Sequence, residues 1–280
     1  MKQRSTGKVI LAGAGTGDPE LITVKTVRYL KAAEVIITDR LVSDTILKTY
    51  TNPGAEIIYA GKQGGSENSA AQETISELIV QHALQGKLVV RLKGGDVAFF
   101  SNVLDELKAL AKHNIPYEII PGITAASGAS AYTGIPLTAR GYATSVRILT
   151  YYSPRTFSDL LWKELADTDD TLVFYMSSAN LQDIVQQLTK NNIAADKRIA
   201  VIEQATTPFQ QVTIADLYDT DELLQNKKLL SPCLLIIGKV VGLHEQFAWL
   251  NNAYCSDFYF EPLVTQHTNK LNHKEIAHVS

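Results

Sequence analysis

Cysteine is almost absent: Cys233 and Cys255 are the only two in 280 residues. A single pair excludes a disulfide framework and fits a reducing compartment. Charge of one sign is also lacking. Lys and Arg total 26 against 29 Asp and Glu, a formal net charge of −3, so no overall field draws the chain to nucleic acid or to an anionic membrane. A local basic pocket stays compatible with that balance. No apolar run reaches a membrane span, because the most apolar segment, CLLIIGKVVGL, is broken by Lys239. The opening MKQRSTGKVILAG is basic and then apolar, as a signal peptide is, but its apolar part, VILA, is too short for an h-region. The expectation is a soluble, cytoplasmic protein with no nucleic-acid or membrane partner.

What is present is globular composition, 45% hydrophobic and 20% charged, at a length suited to two domains. Short β-branched runs alternate with amphipathic stretches, the pattern of parallel sheets covered by helices. KVILAGA (8–14), EVIIT (34–38), EIIY (56–59), KLVVRL (87–92) and YEII (117–120) read as strands. They lack polar–apolar alternation, as strands buried on both faces do. Ile75, Leu78, Ile79 and His82 share one helical face over residues 71–85, with Ser69 as N-cap, Gln72 three residues on and Gly86 as stop. His82 on that stripe reads as a half-buried packing residue. A second helix is expected over 104–113. After Pro121 the chain becomes rich in Gly, Ala, Ser and Thr, which predicts a short, tightly packed helix and a crossover. SVRILTYY, TLVFYM, RIAVIE, QQVTI and CLLIIG follow as strands, with helices over 180–191 and near 216–225 and at least one antiparallel pair. The predicted fold is thus α/β, two α/β domains with a cleft between them. The N-terminal unit with the glycine-rich loops spans 1–133, the C-terminal unit 134–244, and residues 245–280 form a polar, partly disordered tail. His267, His273 and His278 in that tail lack partner ligands at metal spacing, so they read as solvated residues.

The unusual residues gather at the carboxyl ends of the strands, where ligands sit in open parallel sheets. GAGTGD (13–18), Asp39 and Arg40, GKQGG (61–65), KGGD (93–96), PGIT (121–124), Met176 and EQAT (203–206) each follow a strand. Singly, each has a plain alternative. The glycine spacing of GAGTGD is wrong for the dinucleotide fingerprint and suits a tight turn. KGGD could equally be a turn, Asp39 a helix cap, Lys62 a solvated loop lysine and Met176 a core filler. No Ser-His-Asp order, paired-carboxylate pattern or CxxC site stands out.

Together these stretches resemble the tetrapyrrole methylase family, from about residue 8 to about residue 243. The most specific parts are VVRLKGGD (89–96) and PGITAASGASAYTGIPLTARGYATSVR (121–147). The second is similar to the branch of the family that acts on uroporphyrinogen III. DRLVSD (39–44), Gly61-Lys62 and TLVFYM (171–176) support it. The resemblance implies a homodimeric C-methyltransferase with S-adenosylmethionine as methyl donor and no metal. It would methylate uroporphyrinogen III twice to give precorrin-2, toward siroheme and corrinoids. Carried over position by position, Thr16, Gly94, Gly95, Asp96, Phe99, Thr124, Ala125, Met176 and Ala205 would bind the donor. Asp39 would accept a proton and Lys62 donate one. This sequence departs from the family pattern at Thr16 and Val97, each in place of proline, and at SNVLDE (101–106), in place of a glycine- and arginine-containing stretch ending in two glutamates.

Methyl transfer from a sulfonium needs orientation and removal of a proton, not a metal. A substrate with eight carboxylates asks for cations, and Arg40, Lys62, Arg91, Lys93, Arg140 and Arg147 lie in or beside the motifs. Arg91 and Arg147 have the alternative of pairing with acids elsewhere. Three rival readings follow: a methylase of another corrinoid intermediate, a degenerate donor-binding module, and a nicotinamide-dependent oxidoreductase, which the glycine spacing opposes.

Overall fold

The computed structural model describes residues 6–60, 68–153, 156–220, 229–254 and 257–260, with side chains in 68–73 left aside. The first sheet is formed by β1 (Lys8–Gly13), β2 (Val35–Thr38), β3 (Glu56–Tyr59), β4 (Leu88–Lys93) and β5 (Tyr117–Ile120). All its pairs are parallel, in the order β3-β2-β4-β1-β5. The helices α1 (Val24–Ala32), α2 (Asp44–Tyr50), α3 (Asn68–Leu84) and α4 (Val103–Lys112) connect these strands. Successive residues of the central strands point to opposite faces. Val9 and Leu11 therefore pack with Ile79, Ala83 and Leu110 on the α3–α4 side. Ile10 and Ala12 pack with Leu30, Ile46 and Leu47 on the α1–α2 side. This two-sided burial is why the strands read as unbroken apolar runs.

Local signals set most boundaries. Thr23 caps α1 and Ser43 caps α2, each accepting a backbone N–H of the first turn. α3 begins at Asn68, so Ser69 stands inside the helix rather than capping it. Ile75, Ile79 and His82 are buried on its inner face. The Lys87 ammonium donates to His82 Nδ1 at 3.2 Å, which makes His82 a packing residue with a polar partner.

A short helix, α5 (Ala125–Thr133), links the sheets. Ala126 and Ala129 pack against Val173, Ala200, Ile202 and Ile236, so α5 is buried on the second sheet. Small side chains are what let it lie that close. That sheet is formed by β6 (Val146–Thr150), β7 (Thr171–Tyr175), β8 (Arg198–Glu203), β9 (Gln211–Asp216) and β10 (Cys233–Gly238), in the order β6-β7-β10-β8-β9. Only β6 and β7 pair in parallel; β10 runs antiparallel to both neighbours and β8 antiparallel to β9. Its far face is covered by α6 (Asp159–Asp167) and α7 (Leu181–Lys190), around a cluster containing Tyr151, Trp162 and Phe174.

The helix expected near 216–225 is corrected at its start: Asp216 ends β9, and residues 221–228 lie outside the described residues. Residues 245–260, expected as polar tail, make definite contacts where described. Trp249 Nε1 donates to Ala131 O at 2.8 Å and stacks edge-on to Tyr132. Residues 261–280 lie outside the described residues. Among the described residues no helix is long and apolar enough to cross a membrane.

Candidate active site

The carboxyl ends of the parallel strands meet backbone to backbone. Gly15 and Gly95 exchange hydrogen bonds, N–H to O at 3.1 Å one way and 2.7 Å the other. A Cβ on Gly13 would lie 2.6 Å from Gly122 N and Gly95 O, and one on Gly122 only 2.2 Å from Gly95 O. Glycine is required there because three loops cross at contact distance. GAGTGD is therefore a turn: Asp18 caps the 3-10 turn Pro19–Leu21, and α1 starts only at Val24.

Asp96 fastens this crossing. Its carboxylate accepts Ala98 N–H at 2.7 Å and Gly122 N–H at 2.8 Å, joining the β4 and β5 loops. On the neighbouring strand end, Asp39 accepts Leu41 N–H at 3.0 Å and Gly94 N–H at 3.3 Å. Ser43, not Asp39, caps α2. Behind it, Arg91 Nη2 stands 3.9 Å from Asp39 Oδ2. Thr16, Asp39, Gly94, Gly95 and Asp96 thus sit on loops that touch. Lys62 lies outside the described residues.

From the second sheet, Tyr175 reaches across to the first. Its hydroxyl accepts Ala126 N–H at 2.7 Å and lies 2.7 Å from Thr124 Oγ1, and its ring is 5.1 Å from that of Phe100. Burial raises its pKa, so it stays a neutral hydroxyl. Tyr175 was not singled out from the sequence, where it passes for the end of an apolar strand. Its neighbour Met176 adopts φ +53° and is more than half exposed, so the core-filler alternative falls. Ala205 lies between Gln204 (φ +49°) and Thr206 (φ +65°). Thr206 Oγ1 is 2.8 Å from Thr16 Oγ1, a contact between the two lobes. Ala125 and Ala205 are both partly buried against the cluster between α5 and the second sheet. Phe99 is partly exposed just after Asp96, and Phe100, rather than Phe99, makes the ring contact with Tyr175.

The expected cationic lining is thinner than the motifs imply. Arg91 and Lys93 turn inward, where both donate to Glu106 Oε1, at 3.0 and 2.9 Å, and all three are buried. Arg147 is paired with Asp170 and Glu164, the alternative foreseen for it. Arg40 reaches Ser231 Oγ at 3.4 Å, a further contact between lobes, and Arg140 is exposed.

Residues 8–221 match the family model for Tetrapyrrole (Corrin/Porphyrin) Methylases. The chain is 43% identical over 244 residues to a siroheme synthase of Saccharophagus degradans, which covers 87% of this chain and 53% of that protein. It therefore spans about half the length of the curated relatives it matches. Among solved structures, it is similar to a uroporphyrin-III C-methyltransferase from Thermus thermophilus. The TM-score is 0.72 at 33% identity, covering 88% of this chain and 98% of that one. A structure of the Thermus enzyme in complex with S-adenosylhomocysteine matches with TM-score 0.68 at 33% identity, covering 84% and 93%. The two-sheet α/β architecture expected from the sequence is the one these structures share.

Proposed function

The chain belongs to the tetrapyrrole (corrin/porphyrin) methylases, and on that footing we propose that it transfers methyl groups from S-adenosylmethionine to uroporphyrinogen III, twice in succession, giving precorrin-2. The supporting observation is that strand-end loops of the first lobe are joined to each other, Gly15 to Gly95, and to those of the second lobe, Thr124 to Tyr175 and Thr16 to Thr206, by direct hydrogen bonds. The match to a Thermus enzyme solved with S-adenosylhomocysteine supports the choice of donor, and the siroheme synthase relatives support the pathway.

The residues fit such a donor. A Cβ on Gly95, at φ +70°, would meet nothing within 4 Å, so the backbone there borders open space. Phe99 and Met176 expose apolar surface near the same strand ends, and exposed backbone beside apolar side chains suits a nucleoside with a short polar chain. Bound there, S-adenosylmethionine would supply the methyl group of its sulfonium: a pyrrole carbon would attack that methyl carbon in line as the C–S bond breaks and S-adenosylhomocysteine leaves. Gly94, Gly95, Asp96, Phe99, Thr124, Ala125, Met176, Ala205 and Thr16 are assigned to hold and orient it. Orientation of two reactants can remove roughly 7–11 kcal/mol of barrier in favourable cases.

After each transfer the ring carbon must lose a proton. Asp39 is assigned as acceptor, because its carboxylate is oriented by Leu41 N–H and Gly94 N–H yet remains about one-third exposed. Lys62 is assigned as donor. Of the cations in or beside the motifs, Arg40 and Arg140 are assigned to meet substrate carboxylates, and the working unit is assigned as a homodimer.

The test is anaerobic incubation of the purified protein with S-adenosylmethionine and uroporphyrinogen III, followed by mass analysis of the tetrapyrrole. A gain of two methyl masses is expected. Donor binding without mass gain would point to another corrinoid substrate or to a degenerate module, and no donor binding would overturn the proposal. Asp39→Asn is expected to lower kcat about 10²-fold or more, in line with loss of a positioned base. Sedimentation at the mass of one chain would remove the homodimer.

A further inference from the structure

Beyond residue 221, where the family match ends, the chain returns to the loops at the strand ends. The described residues 257–260 lie between the lobes. Gln204 Nε2 donates to Asp257 O at 2.7 Å, and Tyr259 N–H donates to Gln204 Oε1 at 2.8 Å, so one side-chain amide pairs with the returning backbone on both its donor and acceptor sides. From the same residue the Tyr259 hydroxyl donates to Gly17 O, at 3.2 Å, in the first lobe. Phe260 is buried, and its ring edge lies 3.4 Å from where a Cβ of Gly17 would stand.

The turn beneath this segment is held against its own preference. Thr206 has φ +65°, a region β-branched residues avoid. Such a conformation persists only where the surroundings over-determine it, and here they do. Gln210 Oε1 accepts Thr206 N–H at 2.8 Å, while Thr206 Oγ1 lies 2.8 Å from Thr16 Oγ1 and accepts Asp18 N–H at 3.4 Å. The Tyr132 hydroxyl donates to Asp18, and Gln210 Nε2 donates to Tyr132 O at 3.4 Å, which closes the circuit through α5.

We propose that Gln204, Thr206 and Tyr259 are positioning residues for the methyl donor. Through them the segment 257–260 acts as a strap that ties the Gly15–Asp18 turn of one lobe to the Gln204–Thr207 turn of the other. The inference rests on the donor reading of the site, in which Thr16 and Ala205 lie on those two turns. With the turns tied beforehand, less ordering remains to be done when the donor binds. Loosening the strap weakens donor binding and leaves the chemistry of the bound complex alone.

Tyr259→Phe and Gln204→Met of the full chain are expected to raise KM for S-adenosylmethionine about threefold to tenfold, the worth of a hydrogen bond or two, with kcat within about twofold. Thr206→Val is expected to do the same and Thr206→Ser to keep the wild-type value. Tyr254→Ala, on a fully exposed neighbour outside the strap contacts, is the control and should change nothing. In the ligand-free protein, amide exchange in Tyr259→Phe should quicken in both turns, a readout independent of any donor. Unchanged exchange, an unchanged KM, or a fall in kcat matching the rise in KM would each overturn the strap. If the wild-type chain neither binds nor uses the donor, the function proposal falls and the donor role of the strap with it.

Discussion

Arg91 and Lys93 stand two apart on β4, so their side chains leave the same face of the sheet. α4 brings Glu106, fully buried, onto that face to receive both. Arg91 also donates to the carbonyls of Ile37 and Leu92 at 3.2 and 3.1 Å. Two buried cations against one buried carboxylate leave one positive charge, partly answered by Asp39 at 3.9 Å. Removing one partner of a buried ionic cluster leaves uncompensated charge, which costs about 3–5 kcal/mol. Glu106→Gln is therefore expected to lower unfolding stability by about that much in urea titration at neutral pH. Lys93 is already held below the ordinary lysine value of 10.5, by burial first and by Arg91 second. A lysine whose pKa falls on folding is penalised while charged, and that penalty lifts as pH rises through its folded value toward 10.5. The deficit of Glu106→Gln should accordingly shrink between neutral and alkaline pH; a deficit constant with pH would mean Lys93 carries none of it. The motif made both cations look aimed at a ligand. The approach of Glu106 from a different element, 13 and 15 residues away, is a tertiary fact that strand-end patterning does not carry.

The edge strand β5 shows how elements are pinned to each other. Glu118 accepts from Lys8 of β1 at 2.7 Å, from Tyr29 of α1 at 2.7 Å, and pairs with Lys25 of α1. Lys25 first, then Lys8 and the Tyr29 hydroxyl, hold its carboxyl down at about 2 from the ordinary 4.5. A carboxyl depressed on folding adds stability above its unfolded value and gives it up as pH falls through the folded one. The wild-type chain should lose stability between about pH 4.5 and 2 more steeply than Glu118→Gln, which lacks the titrating group. Equal slopes in acid denaturation would count against the cluster. At this scale much of the fold is legible. Val9–Ala12, Val35–Ile37 and Val89–Val90 are apolar on both faces because helices cover both, and such runs announce parallel central strands. The second sheet is less so, since the antiparallel placement of β10 between β7 and β8 depends on a long-range return that apolar letters leave open. Ser69 failed as a cap because α3 already begins at Asn68, two residues before the start that an N-cap at Ser69 would give.

For the whole molecule, the lobes keep separate hydrophobic clusters, and much of what joins them at the candidate site is polar: Thr16 with Thr206, Tyr175 with Thr124, Arg40 with Ser231, Tyr259 with Gly17. Sequence reading found the loops, because glycines and odd polar residues after buried strands are conspicuous. It passed over Tyr175 and took Gln204 and Thr206 only as part of the EQAT stretch, without a role, because their contribution is a reach across the lobes that only the folded chain reveals. Polar joints of this kind open at lower free energy than apolar cores, so a ligand that touches both lobes should stabilise both at once. Donor or product present at 100 times its Kd adds about 2.7 kcal/mol of stability through mass action. Hydrogen exchange with saturating S-adenosylhomocysteine should therefore show joint protection of the Gly94–Asp96 loop in the first lobe and of Met176 and Gln204–Thr206 in the second. Protection confined to one lobe would place the ligand outside the shared site, and the assignments of Met176 and Ala205, or of Gly94 and Gly95, would fail according to which side stayed unprotected.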